Sequence, residues 1–133
     1  MKLSCFFLLL LAGCSTWSWD KRELFLEICD SPEERVRGLR GHPALEDNQG
    51  LLFVYPLPRQ CSYWMKDVSF PIDLAFFDES GRILEIVDLK AMDEAPVKSP
   101  GEVKFVLEMR RGWFEAQGIK NGDVWNELKK MDW

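Results

Sequence analysis

The densest group of side chains that could bind a ligand is the aromatic-rich segment 62–73. In it, Trp64 offers an aromatic face, Lys66 a cation and Asp73 a carboxylate. Alternate residues of an extended strand share a face, so Trp64 and Lys66 are predicted to point one way and their immediate neighbours the other. One interpretation is a shallow aromatic site in which Trp64 is the platform and Lys66 and Asp73 are the polar groups.

Asp73 also supports a structural interpretation, because it is a single acid among apolar neighbours. A buried carboxylate needs a hydrogen-bond or charge partner. Lys66, Arg35 or backbone amides could supply it. An ion pair that orders a tight connection is therefore the alternative to a binding site here.

Two further acids, Glu108 and Asp123, could act together with Asp73. Paired carboxylates hydrolyse glycosides when they converge within about 10 Å in a cleft. A hydrolase of envelope glycans or peptides is thus the alternative function, and acids on opposite faces of a sheet would exclude it. Acids on strands are more often solvated or ion-paired, which favours binding over catalysis. Candidate ligand-binding residues are therefore Trp64, Lys66, Asp73, Arg35 and Glu108.

Other catalytic groups are scarce in the sequence. His42 is the only histidine, and its Gly-His-Pro context is typical of an exposed loop. The chain has no His/Cys spacing typical of zinc sites, no Gly-Lys-Ser/Thr loop and no dinucleotide fingerprint. We therefore predict no metal, no cofactor and a non-catalytic domain; a purely structural role without a discrete site is the remaining interpretation.

The N-terminus predicts export and lipid attachment. A positively charged start and the apolar run 3–11 have the layout of a secretory signal. The run is about half of the roughly 20 apolar residues that a membrane-spanning helix needs. The sequence Leu-Ala-Gly-Cys that ends at Cys14 resembles the lipobox of bacterial lipoproteins. That resemblance implies removal of residues 1–13 and acylation of Cys14, for example with palmitate, whereas an ordinary signal peptide would leave Cys14 unmodified.

The sequence after Cys14 indicates a compartment and a class of partner. Ser15, where Asp would favour retention in the inner membrane, favours the outer membrane of a diderm, with the domain facing the periplasm. The formal net charge of −5 argues against nucleic-acid binding. We therefore expect the lipid to supply membrane contact and the partner to be an envelope protein or a small molecule. Residues 14–22 are predicted to form the lipidated tether and residues 23–133 a single domain.

Two cysteines remain in the predicted domain, Cys29 and Cys61. An oxidising compartment permits a disulfide between them. In the chain-entropy model such a bond contributes roughly 3–4 kcal/mol. Two separate, buried thiols are the alternative, and the sequence leaves both open.

The hydrophobic pattern predicts a mainly β domain. A strand at 24–29 is followed by a short helix with Ser31 as N-cap, Pro32 in its first turn and Glu34 completing a capping box, ended by Gly38. Further strands are predicted at 51–55 (ending at Pro56 and Pro58), 62–66, 73–78, 82–89, 103–109 and 124–128, and a second short helix within 111–117. About seven strands and two short helices indicate a compact sandwich- or barrel-like fold.

Ordered motifs across nearly all of residues 23–128 resemble one known family. They are Glu34-Arg35-Val36-Arg37-Gly38-Leu39, Gly50-Leu51-Leu52-Phe53-Val54, Tyr63-Trp64-Met65-Lys66-Asp67, Pro71-Ile72-Asp73-Leu74-Ala75-Phe76-Phe77-Asp78, Gly81-Arg82, Val106-Leu107-Glu108, Gly112-Trp113 and Gly118-Ile119-Lys120-Asn121-Gly122-Asp123. They resemble the bacterial and archaeal family called domain of unknown function 192. The resemblance implies a compact, β-rich, sandwich-like fold and a chain that is exported or lipid-anchored, but no settled activity.

Two positions depart from the pattern of that family. The family commonly continues Gly-Leu with Met and an arginine, where this chain has Arg40-Gly41-His42. It often has Lys-Asn-Thr where this chain has Lys66-Asp67-Val68. The resemblance therefore assigns no role to either of these segments.

Overall fold

The computed structural model of the chain describes residues 7–8 and 23–133. The strands are β1 Phe7–Leu8, β2 Phe25–Cys29, β3 Gln49–Arg59, β4 Ser62–Tyr63, β5 Ile72–Phe77, β6 Ile83–Leu89, β7 Val97–Lys98 and β8 Val103–Arg110. The helices are α1 Pro32–Arg37 and α2 Trp113–Ala116, followed by a 3-10 helix at Asn126–Lys129. Apart from Phe7 and Leu8, the predicted signal peptide, Cys14 and the tether lie outside the described residues.

The strands form one large and one small sheet. The large sheet has the order β1-β2-β3-β8-β5-β6, and β4 pairs with β7 in the small one. Within the large sheet, β2 and β3 are parallel and the other pairs are antiparallel. The seven strands of residues 23–133 and the two short helices confirm the mainly β prediction. The order is that of an open sheet rather than a closed barrel, which is consistent with a sandwich-like domain.

Each face of the large sheet is covered by its own hydrophobic cluster. On one face, called the α2 side, Ala75 and Phe77 of β5 pack with Trp113 and Phe114 of α2. On the other, called the loop side, Phe76 packs with residues that include Tyr63 and Met65 of the segment after β3. Because strand residues alternate between faces, the position of a residue along β5 or β8 decides which side it serves.

Helix α1 forms as its sequence predicts. The Ser31 hydroxyl accepts a hydrogen bond from the Glu34 amide, and the Glu34 carboxylate accepts one from the Ser31 amide. Pro32 occupies the first turn, where its missing N–H costs nothing. Gly38, at φ 49°, ends the helix. All these contacts are local, which explains why the sequence predicts them.

Strand β3 runs further than predicted. Pro56 and Pro58 were expected to end it, but it continues to Arg59. The ladder with β8 shifts register between Val54 and Arg59. The prolines lie in this irregularity, where the backbone does not have to donate to a regular ladder, so the strand tolerates them.

Two other predicted strands are corrected. Segment 62–66 is a strand only at Ser62–Tyr63, because the chain turns at Met65, whose carbonyl accepts a hydrogen bond from the Val68 amide. Segment 124–128 forms a single bridge, from Val124 to Arg82, before the 3-10 helix begins. Strand β7, which was not predicted, completes the count of seven.

Cys29 and Cys61 are free thiols rather than a disulfide. Cys29 pairs with Phe53 in the middle of β3, whereas Cys61 lies beyond Arg59, at the end of that strand. The length of β3 between these points separates the two cysteines. The alternative of two separate thiols is thus the arrangement observed. None of the helices in the described part of the chain is long and apolar enough to cross a membrane.

Candidate functional site

A pocket of about 410 Å³ opens on the loop side of the sheet. It lies between α1 and the segment 61–66, and the sheet contributes Phe53 and Tyr55 from β3 and Glu108 from β8. Four of the five residues predicted to bind a ligand line it: Trp64, Lys66, Arg35 and Glu108. This pocket is therefore the candidate site.

Trp64 and Lys66 lie at the exposed edge of the pocket. The Lys66 Nζ is 5.4 Å from the centroid of the Trp64 ring, and the guanidinium carbon of Arg40 is 6.0 Å from it. Trp64 is 45% exposed, while Tyr63 and Met65 are buried. The predicted alternation of these four side chains is confirmed, although only Tyr63 among them lies in a strand. Two cations thus lie near one aromatic ring at the pocket edge.

Two arginines and two tyrosines form a second wall. Arg35 Nη1 donates to the carbonyl oxygens of Asp30 at 2.6 Å and Val54 at 2.9 Å. Its guanidinium carbon lies 5.1 Å from the centroid of the Tyr55 ring, and that of Arg59 lies 5.5 Å from it. The Tyr55 hydroxyl is hydrogen-bonded to the Tyr63 hydroxyl at 2.8 Å.

Glu108 lines the pocket from the sheet and is 6% exposed. Within the described part of the chain, its Oε2 is buried without a hydrogen-bond partner. Burial raises the pKa of Glu108 from 4.5 to about 8, since a low-dielectric surrounding disfavours the charged form. At neutral pH the carboxyl is therefore mainly protonated and can both donate and accept a hydrogen bond.

The charges around the pocket are mostly uncompensated. Arg37 pairs with Glu27 at 3.3 Å. For the other four cations, no carboxylate of residues 23–133 lies within ion-pairing distance: Arg35, Arg40, Arg59 and Lys66. Because Glu108 is mainly neutral, the pocket is positive in a chain whose net charge is −5.

Asp73 does not belong to this pocket, which corrects its predicted grouping with Trp64 and Lys66. It lies on the α2 side, where the Gly112 amide donates to its Oδ2 at 2.7 Å and Arg111 Nε is 3.0 Å from its Oδ1. Burial raises the pKa of Asp73 to about 6, and the Gly112 hydrogen bond opposes the rise. Of the partners predicted for a structural role, a backbone amide is present; the cation is Arg111.

The carboxylates proposed for hydrolysis are separated. Asp73 and Glu108 lie on opposite sides of the sheet, because Asp73 pairs with Met109 and Leu74 pairs with Glu108. The Asp123 carbonyl accepts a hydrogen bond from the Ile83 amide, and Ile83 pairs with Phe77 of β5. Phe77 is four residues from Asp73, which places Asp123 about 13 Å along the strand from Asp73. The sheet thus separates Asp73 from Glu108, and the strand offset places Asp123 away from Asp73, which argues against the expected pairing of Asp73 with either acid.

Several residues that line the pocket were not predicted from the sequence. Arg40 belongs to the basic end of the α1 region, and its spacing from Arg35 and Arg37 could have indicated a cationic surface. Arg59 and Tyr55 reach the pocket only through the irregular end of β3, for which no local signal exists. His42 lies 3.6 Å from Glu27 and does not line the pocket. Residues 23–133 hold no group of three or more His, Cys, Asp or Glu placed to bind a metal ion.

Comparisons with known proteins identify relatives of this fold. The model of the domain of unknown function 192 (DUF192), described as uncharacterized ACR, matches residues 16–126. A solved structure of a protein of unknown function from Novosphingobium aromaticivorans is 28% identical with a TM-score of 0.73, covering 76% of this chain and 73% of that one. A protein from Sinorhizobium meliloti described as a "putative transcription regulator" is 28% identical with a TM-score of 0.74, covering 80% of this chain and 85% of that one. No curated protein matches.

Proposed function

The chain belongs to the DUF192 family, and from the geometry of its pocket we propose that it is a non-catalytic binding module of the cell envelope whose ligand is a small organic anion. The observation that carries the proposal is that four cations, none of them paired with a carboxylate of residues 23–133, surround an aromatic-lined pocket: Arg35, Arg40, Arg59 and Lys66. Its volume falls within the roughly 300–1,000 Å³ of small-molecule sites.

The electrostatics of the pocket favour an anion over a neutral or cationic ligand. Guanidinium and ammonium groups form their strongest hydrogen bonds with carboxylates and phosphates. Protonated Glu108 does not cancel their charge. Tyr55 and Trp64 supply apolar surface for the remainder of the ligand, so an organic anion fits better than a bare inorganic ion.

The separation of the candidate acids supports binding rather than hydrolysis. Asp73 is engaged by Gly112 and Arg111 on the other side of the sheet. Asp123 accepts a hydrogen bond from the Lys120 amide within its own turn. Neither acid is available to act with Glu108. The pocket therefore contains one protonated carboxyl rather than the pair of carboxyl groups that hydrolysis requires.

Removing two pocket cations is expected to weaken anion binding. Binding of hexanoate, butyl phosphate and neutral hexanamide is measured by NMR titration of the ¹⁵N-labelled domain at constant ionic strength. Each exposed cation contributes up to about 1 kcal/mol, so the double variant Arg59→Ala/Lys66→Ala should bind the two anions about tenfold more weakly. The comparison of hexanoate with butyl phosphate reveals whether carboxylates or phosphates are preferred.

Lys120→Ala is the matched control, because Lys120 is exposed and lies outside the pocket. It should bind both anions like wild type. Hexanamide binding as tightly as hexanoate, or a double variant with wild-type affinity, would show that the cations do not form an anion site.

The anchoring part of the proposal rests on the sequence. The apolar run 3–11 and the Leu-Ala-Gly-Cys motif support removal of the signal and acylation of Cys14. A diacylglyceryl group supplies more than one acyl chain, as durable attachment requires. Ser15 favours the outer membrane if the source is a diderm, and the partner would then be an envelope protein or a small molecule at that membrane.

Cys14→Ser is expected to abolish lipid labelling. Cells expressing the full chain are fed an alkyne analogue of palmitate, and the purified protein is coupled to a fluorophore. Cys5→Ser is the matched control. Because Cys5 lies within the predicted signal, its replacement should leave labelling intact. Equal labelling of the Cys14→Ser variant and wild type would rule out this attachment site.

A further inference from the structure

We infer that the ligand of the pocket has two recognised ends: an acid group held by the cations at the mouth, and a neutral hydrogen-bonding group, best a carboxamide, that reaches the carboxyl of Glu108 at the floor. The inference rests on the proposed anion-binding function. What is new is the functional group at the second end of the ligand, opposite the acid group.

The floor of the pocket offers a polar group that no described residue satisfies. Glu108 is 94% buried, and its Oε2 makes no hydrogen bond with any described residue. Buried polar atoms are nearly always hydrogen-bonded in native proteins, to protein, water or ligand. Glu108 also lines the pocket, so a ligand group that enters among the lining side chains can supply the missing hydrogen bond.

The surroundings keep this carboxyl neutral. Among residues 23–133, the Cys29 thiol on β2 and the Tyr63 hydroxyl on β4 interact electrostatically with Glu108. Burial raises the pKa of both, that of Cys29 to about 12, so both are uncharged at neutral pH. The protonated carboxyl has one donor and one carbonyl acceptor side by side, which match the acceptor and donor of a primary amide.

The register of the strands offsets Glu108 from Arg35 along β3, which favours an elongated ligand. Glu108 pairs with Leu51, and Arg35 donates to the carbonyl of Val54, three residues along the same strand. Three strand residues span about 10 Å. Phe53, between these points on β3, gives the middle of the pocket an apolar lining. A ligand with an acid and an amide joined by a short alkyl chain therefore fits the spacing between the Arg35 guanidinium and the Glu108 carboxyl.

The test compares hexanoate with adipamate, which carries a carboxamide in place of the methyl group of hexanoate. Dissociation constants are measured by NMR titration for wild type, Glu108→Gln and Glu108→Leu at pH 6.5. Wild type should bind adipamate about tenfold more tightly, since two added hydrogen bonds are made only by the amide. Glu108→Gln keeps a donor and an acceptor and should retain the preference. Glu108→Leu should lose it and bind the two acids with similar affinity.

The outcomes separate this inference from the function on which it rests. Binding of both acids with equal affinity to wild type, as expected if Glu108 holds only a water molecule, would overturn the two-ended ligand and leave the anion site standing. A preference for adipamate that persists in Glu108→Leu would also overturn it. Binding of neither acid would overturn the anion site and this inference together.

Discussion

Replacing Trp113 with alanine is expected to destabilise the domain by about 3–5 kcal/mol. The Trp113 side chain is 0% exposed, packs edge-on against Phe114 at 5.2 Å between ring centroids, and donates from Nε1 to Asn48 Oδ1 at 3.0 Å. Truncation would leave a large cavity on the α2 side and remove the partner of Asn48. Urea denaturation followed by far-UV circular dichroism measures the loss.

Trp64→Ala is the matched control for this prediction, because it removes the same side chain from a half-exposed position. Trp64 stays in contact with solvent and interacts mainly with Lys66 and Arg40. We expect a loss of about 1 kcal/mol or less. If both variants lost the same free energy of unfolding, Trp113 would not be the core residue that its burial indicates.

Glu108→Gln is expected to become more stable relative to wild type as the pH rises from 5 to 8. The folded state raises the pKa of Glu108 from 4.5 to about 8, so it retains a proton that the unfolded chain releases. The contribution of protonated Glu108 to stability is fully present below about pH 4.5 and is lost as the pH rises through about 8. The loss is about 1 kcal/mol for each pH unit in this window. Glutamine does not titrate and keeps its contribution.

The measurement is the difference in free energy of unfolding between the variant and wild type at several pH values. Asp73 titrates in the same direction, since its folded pKa is raised to about 6, but its contribution cancels in the difference. Glu115→Gln, at an exposed position of α2, should give the pH profile of wild type. A difference between Glu108→Gln and wild type that stays constant with pH would mean that Glu108 is not a buried neutral acid.

The sequence predicts what is determined locally. The capping contacts of α1 join residues within one turn, so Ser31, Pro32 and Glu34 define its start. The alternation of Trp64 and Lys66 with buried neighbours is equally local. Both predictions are confirmed, although segment 64–66 is not a strand and Lys66 lies in a turn.

The placement of Asp73 depends on register, which the sequence does not reveal. Asp73 lies opposite Met109 rather than Glu108, and a shift of one residue in a strand moves a side chain to the other face of the sheet. That single offset separates two acids that looked like partners. The positions of Tyr55 and Arg59 likewise depend on the irregular end of β3. Pro56 and Pro58 do not predict that the strand continues to Arg59.

The central place of β8 in the sheet bears on when the chain can fold. Strand β8 joins β3 to β5, yet it follows the other strands of the described residues in the sequence, and its pairing of Met109 with Gly50 closes a long loop. Pairings between residues so distant in sequence form slowly, because the entropy of closing the loop is lost before the contacts form. The sheet therefore cannot assemble on a growing chain until most of the domain has emerged. A late-completed sheet keeps the nascent polypeptide unfolded for longer, which would suit the export that we propose for this chain.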